Sequence, residues 1–278
     1  MKNWKYYNHA AIPMSAPHEN VNITTVKDGS IWKMIGSPLF ACWTTDYDCG
    51  YETNWWYVVK DTPFDIAELK AKRRYEINKG VKNFRVEKIN PIEHKEELYF
   101  VQVDAFSAYP DKYRPKVDKA EFFRSIDQWC GFSIFGCFSN ETGELTGYAL
   151  LAEESNSYID FKVMKTKPMF EKYAVNAALV EGVLRHYDNF LRNGGYICDG
   201  SRSINHETAF QDYLEKYFLF RKAYCHLHIE YNPKIKWLIK ILYPIRKILS
   251  KVDNIGGIHQ VNSVLRMEEI CRGEVERK

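Results

Sequence analysis

The chain has 278 residues, 45% of them apolar and 27% charged, with a formal net charge of +3; these are the proportions of a water-soluble globular protein with room for a substantial core. No stretch approaches the ~18 apolar residues of a membrane span, and the first residues carry no apolar run of signal-peptide length, so the expected location is cytoplasmic. The seven cysteines include no CxxC pair, which agrees with reduced thiols in that compartment.

Five of the seven tryptophans (Trp4, Trp32, Trp43, Trp55, Trp56) fall within the first 60 residues, marking residues 1–63 as a packed, β-rich N-terminal subdomain. Its expected strands are Ile31–Ile35, Leu39–Thr44 and Trp55–Val59, separated by the turn-prone Gly36-Ser37-Pro38 and Asp46–Gly50. Pro63 suits the first position of a helix running to about Lys79, with Gly80 as a left-handed cap. This connecting helix, residues 64–83, is strongly basic: residues 70–85 hold seven Lys/Arg against one acid.

A longer domain, residues 84–233, follows. Phe84–Ile89 alternates as a strand, and Asn90-Pro91-Ile92-Glu93 reads as the capped start of a helix reaching about Tyr109. Asp118 with Glu121 begins a second helix that Gly131 should end. Phe132–Phe138 and Leu145–Ala152 form a hairpin across the turn-rich Ser139–Glu144, and Tyr158–Met164 is the next strand. Val175, Leu179, Val183, Tyr187 and Leu191 trace one helix face, closed by Asn193-Gly194-Gly195. A short strand at Tyr196–Asp199, a helix capped by Asn205 and an alternating strand at Tyr224–Tyr231 complete the series. Residues 234–278 are expected as a basic amphipathic helix, interrupted at Pro244, and a tail; residues 234–252 carry six Lys/Arg and no acid.

The order β-α-α-β-β-β-α-β-α-β resembles the GNAT superfamily of N-acyltransferases. Two phrases are similar to its FemAB-like branch: the basic Lys72-Arg73-Arg74-Tyr75-Glu76-Ile77-Asn78-Lys79-Gly80 ahead of the domain, and Phe218-Leu219-Phe220-Arg221-Lys222-Ala223 before the last strand. The resemblance implies an α/β (α+β) fold with a mixed, mostly antiparallel sheet flanked by helices, and residues 1–63 as a degenerate half of the paired domains of such enzymes. It implies an acyl- or aminoacyl-transferase that passes its group directly to an amine or hydroxyl of a cell-envelope saccharide or lipid-linked precursor. The alternative is an inactive scaffold or binding subunit of polysaccharide assembly on the same fold. Where acetyl-CoA users carry a glycine-rich turn, this chain has Lys165-Thr166-Lys167-Pro168-Met169-Phe170-Glu171-Lys172-Tyr173-Ala174-Val175-Asn176, with no glycine to cradle a pyrophosphate at the helix start. The donor is therefore open between acyl-CoA, aminoacyl-tRNA and none; an acyl-CoA would be held by Lys165, Lys167, Lys172, Tyr173 and Asn176.

Direct transfer needs an acceptor for the amine proton and a donor for the developing oxyanion. On this fold the donor carbonyl would lie where strand 158–164 splays from strand 196–199, which nominates Asp160 and Asp199 as carboxylates and leaves the oxyanion to a strand backbone N–H. Tyr213 and Tyr217 lie on the helix where related enzymes keep a tyrosine acid. Asp199-Gly200-Ser201-Arg202-Ser203-Ile204-Asn205 sits at a strand C-terminus before a helix, so Arg202, Ser203 and Asn205 are substrate-binding candidates. Lys72, Arg73 and Arg74 suit phosphates of a donor or a lipid-linked acceptor. His226 and His228 share a strand face without a third ligand, so no metal is expected. Residues 234–252, with Trp237 and Tyr243 as interface anchors, either lie on an anionic inner leaflet or pack against their own domain. No nucleophile elbow or P-loop occurs.

Overall fold

The computed structural model describes residues 3–109, 111, 114–204, 209–252 and 256–274. In chain order its elements are β1 (Trp4–Tyr7), β2 (Ala10–Pro13), α1 (Thr24–Lys27), β3 (Phe40–Thr45), β4 (Trp55–Lys60), α2 (Ala71–Asn83), β5 (Phe84–Lys88), α3 (Lys95–Ser107), α4 (Lys119–Asp127), β6 (Ser133–Ser139), β7 (Leu145–Ser155), β8 (Tyr158–Thr166), α5 (Val175–His186), α6 (Asp188–Arg192), β9 (Tyr196–Ser201), α7 (Ala209–Phe218), β10 (Arg221–Tyr231), α8 (Pro233–Leu242), α9 (Arg246–Leu249) and α10 (Gly256–Arg272). The class is the expected mixed α/β, with mostly antiparallel strands flanked by helices. The chain divides into two units: residues 1–58, 201–209 and 222–278 form one, and residues 59–200 with 210–221 form the other.

In the first unit β1 pairs antiparallel with β2, β2 runs parallel to β3, and β3 pairs antiparallel with β10 from Phe40↔Tyr231 to Thr45↔His226. That long pairing is why β10 belongs with the N-terminal strands. Residues 256–272, expected within a tail, are instead a helix whose Leu265, Met267 and Ile270 join Phe40, Trp55 and Leu227 in the core. Ile31–Ile35 is not a strand. Gly29, at φ 75°, starts a single 3-10 turn over Ser30–Lys33, and Ile31 is thereby buried with Trp4, Val26 and Ala41.

In the second unit β5, β6, β7 and β8 form antiparallel neighbours, and β9 joins β8 in parallel. Strand alternation sorts the side chains onto two faces. On one face Phe138 and Tyr148 pack with Leu98 and Val101 of α3 and with Phe122 and Ile126 of α4. The opposite face carries α5, whose Gly182 lies directly over Val86 of β5.

Helix starts are set by local hydrogen bonds more than by the apolar pattern. Asp65 accepts from the Ala67 N–H at 2.8 Å and makes a 3-10 turn, so α2 begins at Ala71 and not at Pro63. Likewise Asn90 accepts from the Ile92 N–H at 3.1 Å, which delays α3 to Lys95. Asp118 does cap α4, accepting from the Glu121 N–H at 2.8 Å. Gly80 is no cap: α2 continues to Asn83, and a Cβ at Gly80 would lie 2.6 Å from the Ala174 carbonyl oxygen of the α5 start. The glycine is there so that two helices can touch.

Candidate active site

The parallel register of β8 and β9 is Tyr158↔Tyr196, Ile159↔Ile197 and Asp160↔Cys198. Beyond those pairs both strands continue, β8 to Thr166 and β9 to Ser201. At the same level β8 carries a bulge: Leu150 of β7 faces Val163 and Leu151 faces Phe161, leaving Lys162 as the extra residue. A bulge bends its strand and increases its local twist, which helps β8 turn away from β9. The pairing of β8 with β9 ends at this level.

The register also separates the two candidate carboxylates. Asp160 is level with Cys198, so its side chain and that of Asp199 leave the sheet on opposite faces. On its own face Asp160 is held by the Lys162 ammonium, which also meets Glu154 at 3.4 Å. Asp199 points to the face covered by α7. There Phe161 meets Phe210 of α7 at 6.0 Å between ring centroids, and the Gln211 side chain hydrogen-bonds the Asp199 carboxyl. Burial pushes the Asp199 pKa up to about 7, the Gln211 hydrogen bond works against that rise, and the Asp160 charge adds to it.

Tyr213 and Tyr217 follow on α7, their rings 4.8 Å apart. The Tyr217 hydroxyl is hydrogen-bonded to Glu76 of α2, and the Arg73 guanidinium lies 5.7 Å from the Tyr217 ring centroid. Arg73 thus joins the two tyrosines. The Tyr213 hydroxyl is buried and has no hydrogen-bond partner among the described residues. Burial, and then the nearby Glu76 and Tyr217, raise its pKa, so it keeps its proton.

The other candidates lie elsewhere. Arg74 donates to the Leu69 carbonyl at 2.8 Å and to that of Ala67 at 3.3 Å, bracing the turn before α2; Lys72 is exposed. Lys165 sits on the α3 face, 4.9 Å from the Phe106 ring centroid, and burial lowers its pKa. Lys167 is buried and pairs with Glu144 at 2.5 Å. Asn176 accepts from the Thr166 hydroxyl at 2.6 Å, while Lys172 rests over the Tyr173 ring at 4.9 Å. Ala174, at φ 67°, takes the left-handed position at the start of α5, and Asn83 of α2 donates to the Tyr173 carbonyl at 3.3 Å. Two of its three lysines are thus turned toward α3 and the hairpin and away from a pyrophosphate at the start of α5.

Arg202 and Ser203 belong to the first unit. Arg202 donates to the Asn54 carbonyl at 2.6 Å and lies 4.4 Å from the Trp56 ring centroid; Ser203 is partly buried. Asn205 lies outside the described residues. His226 meets the Tyr51 hydroxyl at 2.8 Å and His228 the Thr45 hydroxyl at 2.8 Å. Sequence reasoning passed over Gln211 and Glu76. Gln211 had a visible signal: it falls in register with the buried Leu214 and Phe218, a polar residue on the apolar stripe of α7.

No family model matches the chain, and no curated protein matches it. Among solved structures it is similar to a conserved protein of unknown function from Bacteroides thetaiotaomicron, with a TM-score of 0.50 and 11% identity over 79% of this chain and 78% of that one. What the two share is the fold. Further likenesses are to L-PGS from Bacillus licheniformis (TM-score 0.46, 12% identity, 80% and 78% covered) and to a tandem GNAT protein from the clavulanic acid biosynthesis pathway (0.40, 10%, 80% and 75%).

Proposed function

We propose that the chain is an acyl- or aminoacyl-transferase of GNAT type, transferring an acyl group directly to an amine or hydroxyl at the separation of β8 from β9. The observation that carries this reading is the pairing of that separation with Asp199, a carboxyl whose pKa near 7 suits a proton acceptor at neutral pH. The acceptor nitrogen or oxygen attacks the donor carbonyl and forms the new C–N or C–O bond. Asp199 takes the proton it loses. Negative charge developing on the carbonyl oxygen meets a backbone N–H on the β8 edge beyond Asp160. As the tetrahedral species collapses, the bond to the leaving group breaks and Tyr213 supplies that group with a proton; solvent then reprotonates Tyr213 and takes the proton held by Asp199, which resets the site. Asp160 acts from the opposite face, its charge keeping the Asp199 proton affinity high.

The acceptor is proposed to be a cell-envelope saccharide or lipid-linked precursor, a reading to which the basic α2 with Arg73 beside Tyr217 lends support. A transfer assay with acyl-CoA and aminoacyl-tRNA donors tests the chemistry. The wild type should show a rate that climbs with pH through about 7, and Asp199→Asn should lose that climb together with ~100-fold in kcat. An unchanged pH profile in Asp199→Asn would remove the base from the account.

One observation favours the scaffold reading instead. Phe161, Phe210, Tyr213, Tyr217 and Phe218 form a continuous aromatic run on the Asp199 face. If that run fills the cleft, no donor raises the melting temperature at millimolar concentration.

A further inference from the structure

The segment after β10 stays helical almost without interruption: α8, a 3-10 turn at Tyr243–Ile245, α9, and a 3-10 turn at Ser250–Val252. It has two apolar faces. Ile239 and Tyr243 are buried in the core of the first unit, with Ile235, Leu242 and Leu249 packed against it. Packing against its own domain therefore accounts for one stripe only. A second stripe points outward: Trp237 (59% exposed), Ile241 (58%), Ile245, Ile248 (67%) and Val252, at successive intervals of four, four, three and four residues, the spacing of one helix face.

The cations are arranged around that outer stripe. Lys236, Lys240, Lys247 and Lys251 repeat the spacing of Trp237, Ile241, Ile248 and Val252 one position earlier, about 100° around the helix axis. Lys236 is held by Glu230 at 2.6 Å, and Lys234, Lys240 and Lys251 are exposed. Arg246 faces the other way, its guanidinium on Glu269 at 2.5 Å and Glu274 at 2.9 Å. The segment itself supplies no carboxylate. A neighbouring loop adds to the apolar surface. Asn232, the cap of α8, donates to the Leu39 carbonyl at 2.8 Å and to the Pro38 carbonyl at 3.2 Å; that loop carries the exposed Leu39 and Ile35, the latter 94% exposed.

We infer that this outer stripe docks onto an anionic lipid bilayer, with Trp237, Ile241, Ile248 and Val252 entering the headgroup–acyl boundary and the lysine row lying along the lipid phosphates. An apolar stripe flanked by lysines with an indole near one end is the pattern of an interfacial helix. A second copy of this chain is a poor occupant, because a symmetric contact would set the lysine rows against each other with no acid in the segment to offset them. The inference does not depend on the transferase reading, since binding to lipid needs no chemistry at β8 and β9.

The test is flotation of the full-length protein with phosphatidylcholine vesicles containing phosphatidylglycerol and with phosphatidylcholine vesicles alone, together with sedimentation velocity. The protein should float with the anionic vesicles and be released by high salt. Brominated acyl chains should quench a fluorescence component that Trp237→Phe lacks. Ile241→Glu with Ile248→Glu should weaken binding at least tenfold at an unchanged melting temperature, and each lysine replaced by Gln among Lys240, Lys247 and Lys251 should cost about fivefold. Absence of flotation, equal flotation of wild type and the Ile241→Glu/Ile248→Glu protein, or a wild-type dimer that these substitutions dissociate would each overturn the inference. A protein that binds vesicles yet transfers no acyl group would count against the proposed function and leave this inference standing.

Discussion

A buried hydroxyl without a partner costs free energy that most sites avoid by pairing or by substitution. Tyr213 carries such a hydroxyl, and phenylalanine would fill the same space. Tyr213→Phe should therefore leave thermal stability unchanged or raise it by about 1 kcal/mol, while lowering transfer activity at least tenfold; a loss of stability with full activity would make Tyr213 a core residue only. Asp199 obeys the same logic for charge. Its folded pKa lies above its unfolded one, so the folded protein favours the protonated carboxyl. Stability is undiminished below pH 4 and falls as pH rises toward and past 7. Asp199→Asn should be more stable than wild type at pH 8, on the order of a few kcal/mol, and equal to it near pH 4, as chemical denaturation at the two pH values would report. Asp160→Asn removes a charge that raises the Asp199 pKa, so the climb in the pH–rate profile should move to lower pH. An unmoved profile would show that the two carboxylates do not communicate.

At the scale of elements, α2 and α5 meet through a glycine. A methyl group at Gly80 would fall 2.6 Å from the Ala174 carbonyl oxygen and 2.9 Å from the Ala178 nitrogen, both backbone atoms that cannot step aside. Gly80→Ala should cost about 2 kcal/mol despite the higher helix propensity of alanine, read as a drop in melting temperature; a neutral or stabilising result would show that the helices can separate. The sequence pattern was a good guide to β6, β7 and β8, whereas the helix expected from Val175 through Leu191 is broken at Tyr187 into α5 and α6. The pattern also misled where short polar side chains captured backbone N–H groups: Asp65 and Asn90 each made a turn where Pro63 and the Asn90–Glu93 box suggested a helix already under way. Gly80 was misread for a related reason, since a glycine near the end of a helical pattern looks the same whether it caps or permits contact. Of the proposed site, Asp160, Asp199, Tyr213 and Tyr217 were nominated from element order and residue type. That Asp160 and Asp199 face opposite ways was not, because strand register is a tertiary property. The diversion of Lys167 onto Glu144 and of Lys165 toward Phe106 was hidden for the same reason.

At the scale of the whole molecule, a net charge of +3 conceals two basic segments on an otherwise acidic chain. Residues 70–85 reach the site through Arg73, and residues 234–252 present a lysine row beside exposed apolar side chains. The central claim is that an acyl donor binds where β8 leaves β9. Backbone amide NMR of the full chain, titrated with acetyl-CoA, a long-chain acyl-CoA and an amide-linked aminoacyl-tRNA mimic, reads that directly. With one of the three donors, shifts should concentrate at Phe161–Val163, Asp199–Gly200 and Gln211–Tyr213. Spectra unmoved by all three, or shifts confined to residues outside that cleft, would contradict the account.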